Sequence, residues 1–164
     1  MSSNQQKSSK RRFELSTKSS IKRSQKYQSL SFEQKYVFDR VVFDGDSIFF
    51  TGQAGSGKSY LLTTIVFYLK QVVHEGGIAI TSMTGIASLN INGQTLHSLT
   101  GARILNQEED QLYSNTPEQN EEIIFKNSHK NNNIWKRLQT LEVLFIDEVS
   151  MCPNYLFDAL NILM

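Results

Sequence analysis

The stretch TGQAGSGKSYLL, Thr51 to Leu62, limits the possible folds more than any other part of the chain. Gly52, Gly57, Lys58 and Ser59 satisfy the spacing G-x-x-x-x-G-K-[ST], with a further glycine at Gly55. Holding a phosphate requires backbone N–H groups that converge on one point, which glycines allow, and a helix N-terminus directed at the anion. Lys58 adds a cation for the outer phosphates of a nucleotide, and the Ser59 hydroxyl suits Mg²⁺. The run Gly52, Gln53, Ala54, Gly55, Ser56, Gly57, Lys58 and Ser59 is therefore the expected nucleotide-binding loop. The plainer alternative is a glycine turn that opens a helix.

The surroundings favour the loop. SIFFT, Ser47 to Thr51, reads as a buried strand, and Lys58 to about His74 as a helix closed by Gly76 and Gly77. A second strand is expected at GIAIT, 77–81, and a third at EVLFID, 142–147. Strands that alternate with helical segments indicate an α/β fold with a parallel sheet flanked by helices, whose loops at the strand C-terminal ends gather into one ligand-binding edge. Upstream, Ser31 followed three residues later by Gln34 has the form of a capping box, so a short helix is expected within LSFEQKYVFDRVV, Leu30 to Val42. Residues 105–133, crowded with Asn, Gln and Glu, read as a polar loop or frayed helix.

With 164 residues, 39% hydrophobic and 20% charged, the chain is one domain's worth of protein. No apolar run reaches the roughly 18 residues of a membrane span, and no secretory signal is visible, so an intracellular protein without membrane partners is expected. The single cysteine, Cys152, excludes an intrachain disulfide and a cysteine-cluster metal site, and reads as a small buried side chain. The net charge of +1 conceals an asymmetry: residues 1–29 hold eight Lys/Arg against Glu14 alone, a net +7, which leaves −6 for residues 30–164. That tail, rich in Ser, Lys and Gln, is expected to be disordered, because it has few apolar residues to bury. Its charge suits nucleic acid, nuclear import or mitochondrial targeting, or it is a solvated leader with no specific role.

A nucleotide-bound metal needs a second acid, and VLFIDEVS, Val143 to Ser150, supplies one at the end of an apolar strand. Asp147 is expected to hold Mg²⁺ through water, and Glu148 to polarise an attacking water. An adjacent acidic pair is common in ATP-hydrolysing motors and often missing from enzymes that pass phosphate to a substrate. Lys58 and Glu148 are therefore the expected catalytic residues of an ATP hydrolase. A small-molecule kinase has little support, because no acceptor site is apparent.

The ordered series LSFEQ, TGQAGSGKSYLL, TSMTGIAS, NGQTLHSLTG and LFIDEVSM resembles, block by block, the first motor domain of the Pif (petite integration frequency) family of ATP-dependent DNA helicases, superfamily 1 motors related to RecD. The resemblance runs from about Leu30 to Met164. It implies a RecA-like P-loop NTPase fold, Mg-ATP as fuel, single-stranded DNA as track and 5′ to 3′ unwinding. It also implies work in DNA repair, recombination and telomere maintenance, in the nucleus, the mitochondrion or both. Gln34 matches the glutamine that reads the adenine edge in such motors. Thr84 and Gly85, with His97 and Ser98, fall where the family approaches the DNA strand, and hydroxyls, a glycine backbone and an imidazole suit phosphate contacts that ignore sequence. Without the resemblance, His97 would read as a structural polar residue.

The chain departs from the family pattern by stopping at Met164, before the second RecA-like domain and the arginines that complete the ATP site. An N-terminal fragment with very weak or no turnover of its own is therefore expected. Its sheet is expected to end at an open edge beside the third strand, with Phe157, Leu160, Ile162 and Leu163 short of cover. The alternative is a stand-alone ATP-binding or regulatory module that unwinds nothing.

Overall fold

A computed structural model of the protein describes residues 15–102 and 130–163. The chain divides into two units, Met1–Val72 and Val73–Met164.

In the first unit, helix α1 (Leu15–Arg23) and the single turn α2 (Gln25–Gln28) occupy part of the segment expected to be disordered. Residues 1–14 lie outside the described residues; 15–29 are ordered because aromatic groups later in the chain give their few apolar residues somewhere to go. Ile21, Tyr27 and Leu30 are buried, and the ring of Tyr27 meets Phe38 edge-on at 5.3 Å, which in turn meets Tyr68 at 5.4 Å. The lysines of this segment are partly absorbed into the same packing. Lys18 and Lys22 lie over the Phe43 ring and Lys26 over Phe67, while Lys22 Nζ bonds Asp39 Oδ2 at 2.7 Å. That hydrogen bond to Asp39 raises the Lys22 pKa and keeps the ammonium charged.

Helix α3 (Phe32–Asp39) opens as its sequence requires. Ser31 Oγ accepts the Gln34 backbone N–H at 3.2 Å, and Gln34 Oε1 accepts the Ser31 N–H at 2.9 Å. A π-helical turn, Arg40–Asp44, follows and is ended by Gly45 in the left-handed conformation. The run Ser47–Thr51 is not a strand: it is assigned no regular structure, and Phe49 is 76% exposed. Its β-forming side chains give it the capacity to pair, but a strand exists only where a neighbour completes the ladder, and none does so among the described residues. Helix α4 (Lys58–Leu69) is shorter than expected, because the backbone N–H groups of Gln71 and Val72 turn back to carbonyls three residues earlier, as in a tightened last turn.

The second unit is built on parallel strands β1 (Ile78–Ser82), β2 (Gln94–Thr95) and β3 (Val143–Asp147), ordered β2-β1-β3. Two of the three match the expected strands to within a residue. Helix α5 (Gly85–Asn90) links β1 to β2, helix α6 (Leu96–Thr100) follows β2, and α7 (Asn132–Thr140) precedes β3. Asn131, expected within a polar loop, caps α7 through its Oδ1, which accepts the N–H groups of Asn133 and Ile134; residues 105–129 of that loop lie outside the described residues. A 3₁₀ turn (Val149–Met151) and helix α8 (Asn154–Leu163) complete the unit.

One face of the sheet, carrying Ala79, Leu144 and Ile146, packs with Leu96, Leu99, Leu138, Leu156 and Leu160 into a core. Leu160 was expected to lack cover, yet it is buried at 5% exposure because α8 turns that side into the core; Phe157 is 53% exposed, and the side chains of Ile162 and Leu163 lie outside the described residues. Among the described residues β3 is an edge strand, as expected.

Gly93 explains the glycine of the NGQT block. A Cβ there would overlap the backbone carbonyl of Ile80, so β2 can lie beside β1 only if residue 93 has no side chain. Gly93→Ala is expected to destabilise the protein by about 1–3 kcal/mol, through forced backbone shifts. A chemical denaturation midpoint equal to that of the parent chain would contradict this account.

Candidate nucleotide site and strand-end edge

The glycine loop in the first unit has the backbone of an anion cradle. Gly55 and Gly57 adopt φ of +79° and +82°, a region that favours glycine, and a Cβ at Gly57 would sit 2.6 Å from Gln34 Nε2. No side chain caps the N-terminus of α4, whose N-cap is Gly57 itself. The N–H groups of its first turn thus meet the requirement of an anion site, reinforced by the helix dipole. Lys58 Nζ donates to the carbonyls of Gly52 at 2.7 Å and Gln53 at 3.0 Å, which folds the ammonium back across the loop. Ser59 is exposed at the same helix end.

Gln34 reaches this loop. While its Oε1 closes the α3 cap, its Nε2 donates to the carbonyls of Ser56 at 3.2 Å and Gly57 at 3.4 Å. The residue therefore couples the start of α3 to the loop, a role that the sequence pattern alone did not disclose.

In the second unit three parallel strands end on the same edge, and each is followed by a residue group singled out in the sequence. After β1 come Thr84 and Gly85, after β2 His97 and Ser98, and β3 ends in Asp147 followed by Glu148. Thr84 caps α5, its Oγ1 accepting the Ala87 N–H at 3.2 Å. Gly85 has nothing within 4 Å of where its Cβ would be, so packing gives no reason for glycine there, whereas close approach of a ligand to the backbone would. Ile86 and Leu89, three apart on the same helix, are 79% and 75% exposed.

His97 and Ser98 sit on α6. Burial pushes the His97 pKa down, so at neutral pH its imidazole is uncharged, and its Nδ1 is buried without a partner. Ser98 is held through its backbone. Its N–H donates to Thr95 Oγ1, and its carbonyl accepts from Arg137 Nη2 at 2.8 Å. The same Arg137 nitrogen bonds the Leu99 carbonyl, so Arg137 closes the C-terminal end of α6 from α7. Sequence reasoning missed it because no local spacing links residue 137 to residue 98.

Asp147 is half-buried, and its Oδ1 accepts the backbone N–H of Glu148 at 3.0 Å. Glu148 takes φ of 55° and ψ of 40°, left-handed for a residue with a side chain, and is exposed. Such a conformation costs on the order of 1–3 kcal/mol and concentrates at functional sites. Cys152, expected to be buried, is only half-buried, and that burial pushes its thiol pKa up, which keeps it protonated. Among the described residues no three His, Cys, Asp or Glu side chains form a metal cage, and no helix is long and apolar enough to cross a membrane.

Comparison with known proteins agrees with this layout. A profile described as PIF1-like helicase matches residues 29–164. The chain is 38% identical to the ATP-dependent DNA helicase PIF1 of Emericella nidulans over 89% of its own length and 18% of that protein's. It is 36% identical to the ATP-dependent DNA helicase RRM3 of Saccharomyces cerevisiae, over 80% of its length and 17% of that protein's. The crystal structure of Pif1 helicase from Candida albicans superposes with a TM-score of 0.66 at 37% identity, covering 82% of this chain and 27% of that one. The chain thus spans less than a fifth of these two curated relatives. With the parallel sheet, the glycine loop and the acidic strand end in the order that the sequence blocks imply, the chain belongs to the PIF1-like helicase family.

Proposed function

We propose that this chain is the nucleotide-binding part of an ATP-dependent DNA helicase that moves 5′ to 3′ along single-stranded DNA. The observation that carries the reading is the uncapped N-terminus of α4, preceded by two left-handed glycines and carrying Lys58 at its first position. At Gly55 nothing lies within 4 Å of where a Cβ would be, so packing does not call for a left-handed glycine there, whereas a phosphate held by the loop backbone does.

In this reading Gly52 to Lys58 bind the phosphates through backbone N–H groups, and Lys58 exchanges its loop carbonyls for phosphate oxygens. Gln34 reads the adenine edge by releasing Ser56 and Gly57. Glu148 accepts a proton from, and orients, the attacking water; its exposed carboxylate and strained backbone suit that task. Ser59 and Asp147 are the residues for Mg²⁺, since hydroxyl and carboxylate oxygens are the hard donors it takes, and it retains waters instead of needing a protein cage. When bound, Mg²⁺ supplies charge neutralisation at the phosphate oxygens. Thr84, Gly85, His97 and Ser98 contact the DNA backbone, with His97 acting as a neutral hydrogen-bonding group. The cellular work would be DNA repair, recombination and telomere maintenance, in the nucleus, the mitochondrion or both.

The test is strand displacement by the full-length protein on duplexes with a 5′ or a 3′ single-stranded tail. Unwinding of the 5′-tailed duplex alone, dependent on ATP, is the expected result. ATP binding with no displacement of either substrate would replace this reading by that of an ATP-binding regulatory module.

A further inference from the structure

The last residue of β1 carries a buried hydroxyl with nothing to bond. Ser82 is 0% exposed, and its Oγ has no hydrogen-bond partner. Buried hydroxyls are almost always paired, because leaving one bare forfeits its hydration with no return. The preceding residue shows the ordinary outcome: Thr81, equally buried, donates its hydroxyl to the Phe145 carbonyl at 2.6 Å. Alanine would suit position 82 better than serine if packing were its only role.

The sheet register shows which acceptor lies beside it. Ser82 pairs with Asp147 in the parallel ladder between β1 and β3. Register partners on neighbouring strands present their side chains on the same face, with the strands about 4.8 Å apart. Ala79, Leu144 and Ile146 point into the apolar core, so by alternation Ser82 and Asp147 share the opposite face. One Asp147 oxygen accepts the Glu148 N–H. A hydroxyl one strand away can donate to the carboxylate directly or through a single water.

We infer that Ser82 is a positioning residue for the metal-holding carboxylate: its hydroxyl orients Asp147, or the water between Asp147 and Mg²⁺, when nucleotide is bound. This rests on the reading of Asp147 as the magnesium carboxylate. Ser82 touches neither nucleotide nor metal; it fixes which way the carboxylate turns, and its hydroxyl is unpaired until that happens.

The experiment titrates Mg²⁺ into the chain with a fluorescent ATP analogue and reads nucleotide binding, alongside thermal unfolding without nucleotide. Ser82→Ala is expected to raise the Mg²⁺ midpoint about threefold to tenfold, the equivalent of one net hydrogen bond. Its unfolding temperature should stay equal to or above the parent's, since an unpaired hydroxyl has been removed. In an Asp147→Asn background the same substitution should shift the midpoint no further. An unchanged Mg²⁺ midpoint, or a lower unfolding temperature with no midpoint shift, overturns the inference and leaves Ser82 as a packing residue. Lys58→Ala, run in parallel, separates the two failures. If it binds nucleotide like the parent, the phosphate-loop reading falls and this inference with it; if it loses binding while Ser82→Ala shifts nothing, only the role of Ser82 is wrong.

Discussion

Glu148→Gln in the full-length protein is expected to lower kcat for ATP hydrolysis by about 10² to 10⁴, the usual contribution of a positioned general base, while ATP affinity stays within about twofold. The substitution preserves shape and removes only the ability to take a proton. Glu148 is exposed and bonds Asp147 through its backbone N–H, not its side chain, so the left-handed turn after β3 should survive. A variant that traps ATP without turning it over is the signature of this role. Hydrolysis at the parent rate would move the water-orienting function elsewhere.

Lys58→Ala is expected to weaken ATP binding by about 10- to 100-fold, because a charge-assisted hydrogen bond contributes roughly 1.5–3 kcal/mol. Under the proposed reading this residue, unlike Glu148, acts on the ground state, so the loss is expected in binding by the present chain and not only in turnover. Lys58 also ties down the carbonyls of Gly52 and Gln53, so the variant loop loses two internal contacts. A circular dichroism spectrum like the parent's, with binding lost, would separate the charge from the fold. ATP affinity equal to the parent's would exclude this loop as the nucleotide site.

Where the structure departs from the sequence reading, a long-range partner is the cause. Residues 15–29 read as a disordered basic tail because Ile21, Tyr27 and Leu30 are too sparse to form an apolar face by themselves. All three are buried, Tyr27 against Phe38, whose ring in turn meets Tyr68, a packing absent from local composition. Ser47–Thr51 errs in the opposite direction, since its side chains favour a strand but no described neighbour pairs with it. Leu160 belongs to the core because of the turn of α8, not because of its own surroundings in sequence.

The candidate site divides in the same way. The turn from Gly52 to Ser59 was legible as left-handed glycines leading into a helix N-terminus, because that geometry is set within a few consecutive residues. The Ser31–Gln34 capping box, β1 and β3 were legible for the same local reason. Only the tertiary structure could bring Gln34 Nε2 to the Ser56 and Gly57 carbonyls, set Arg137 against the end of α6, or place Ser82 in register with Asp147. Each joins residues more than twenty positions apart, and chain entropy over such separations is overcome by packing alone. The sequence by itself determined the chemistry on offer at each motif; the fold decided which side chains far apart in the chain support it.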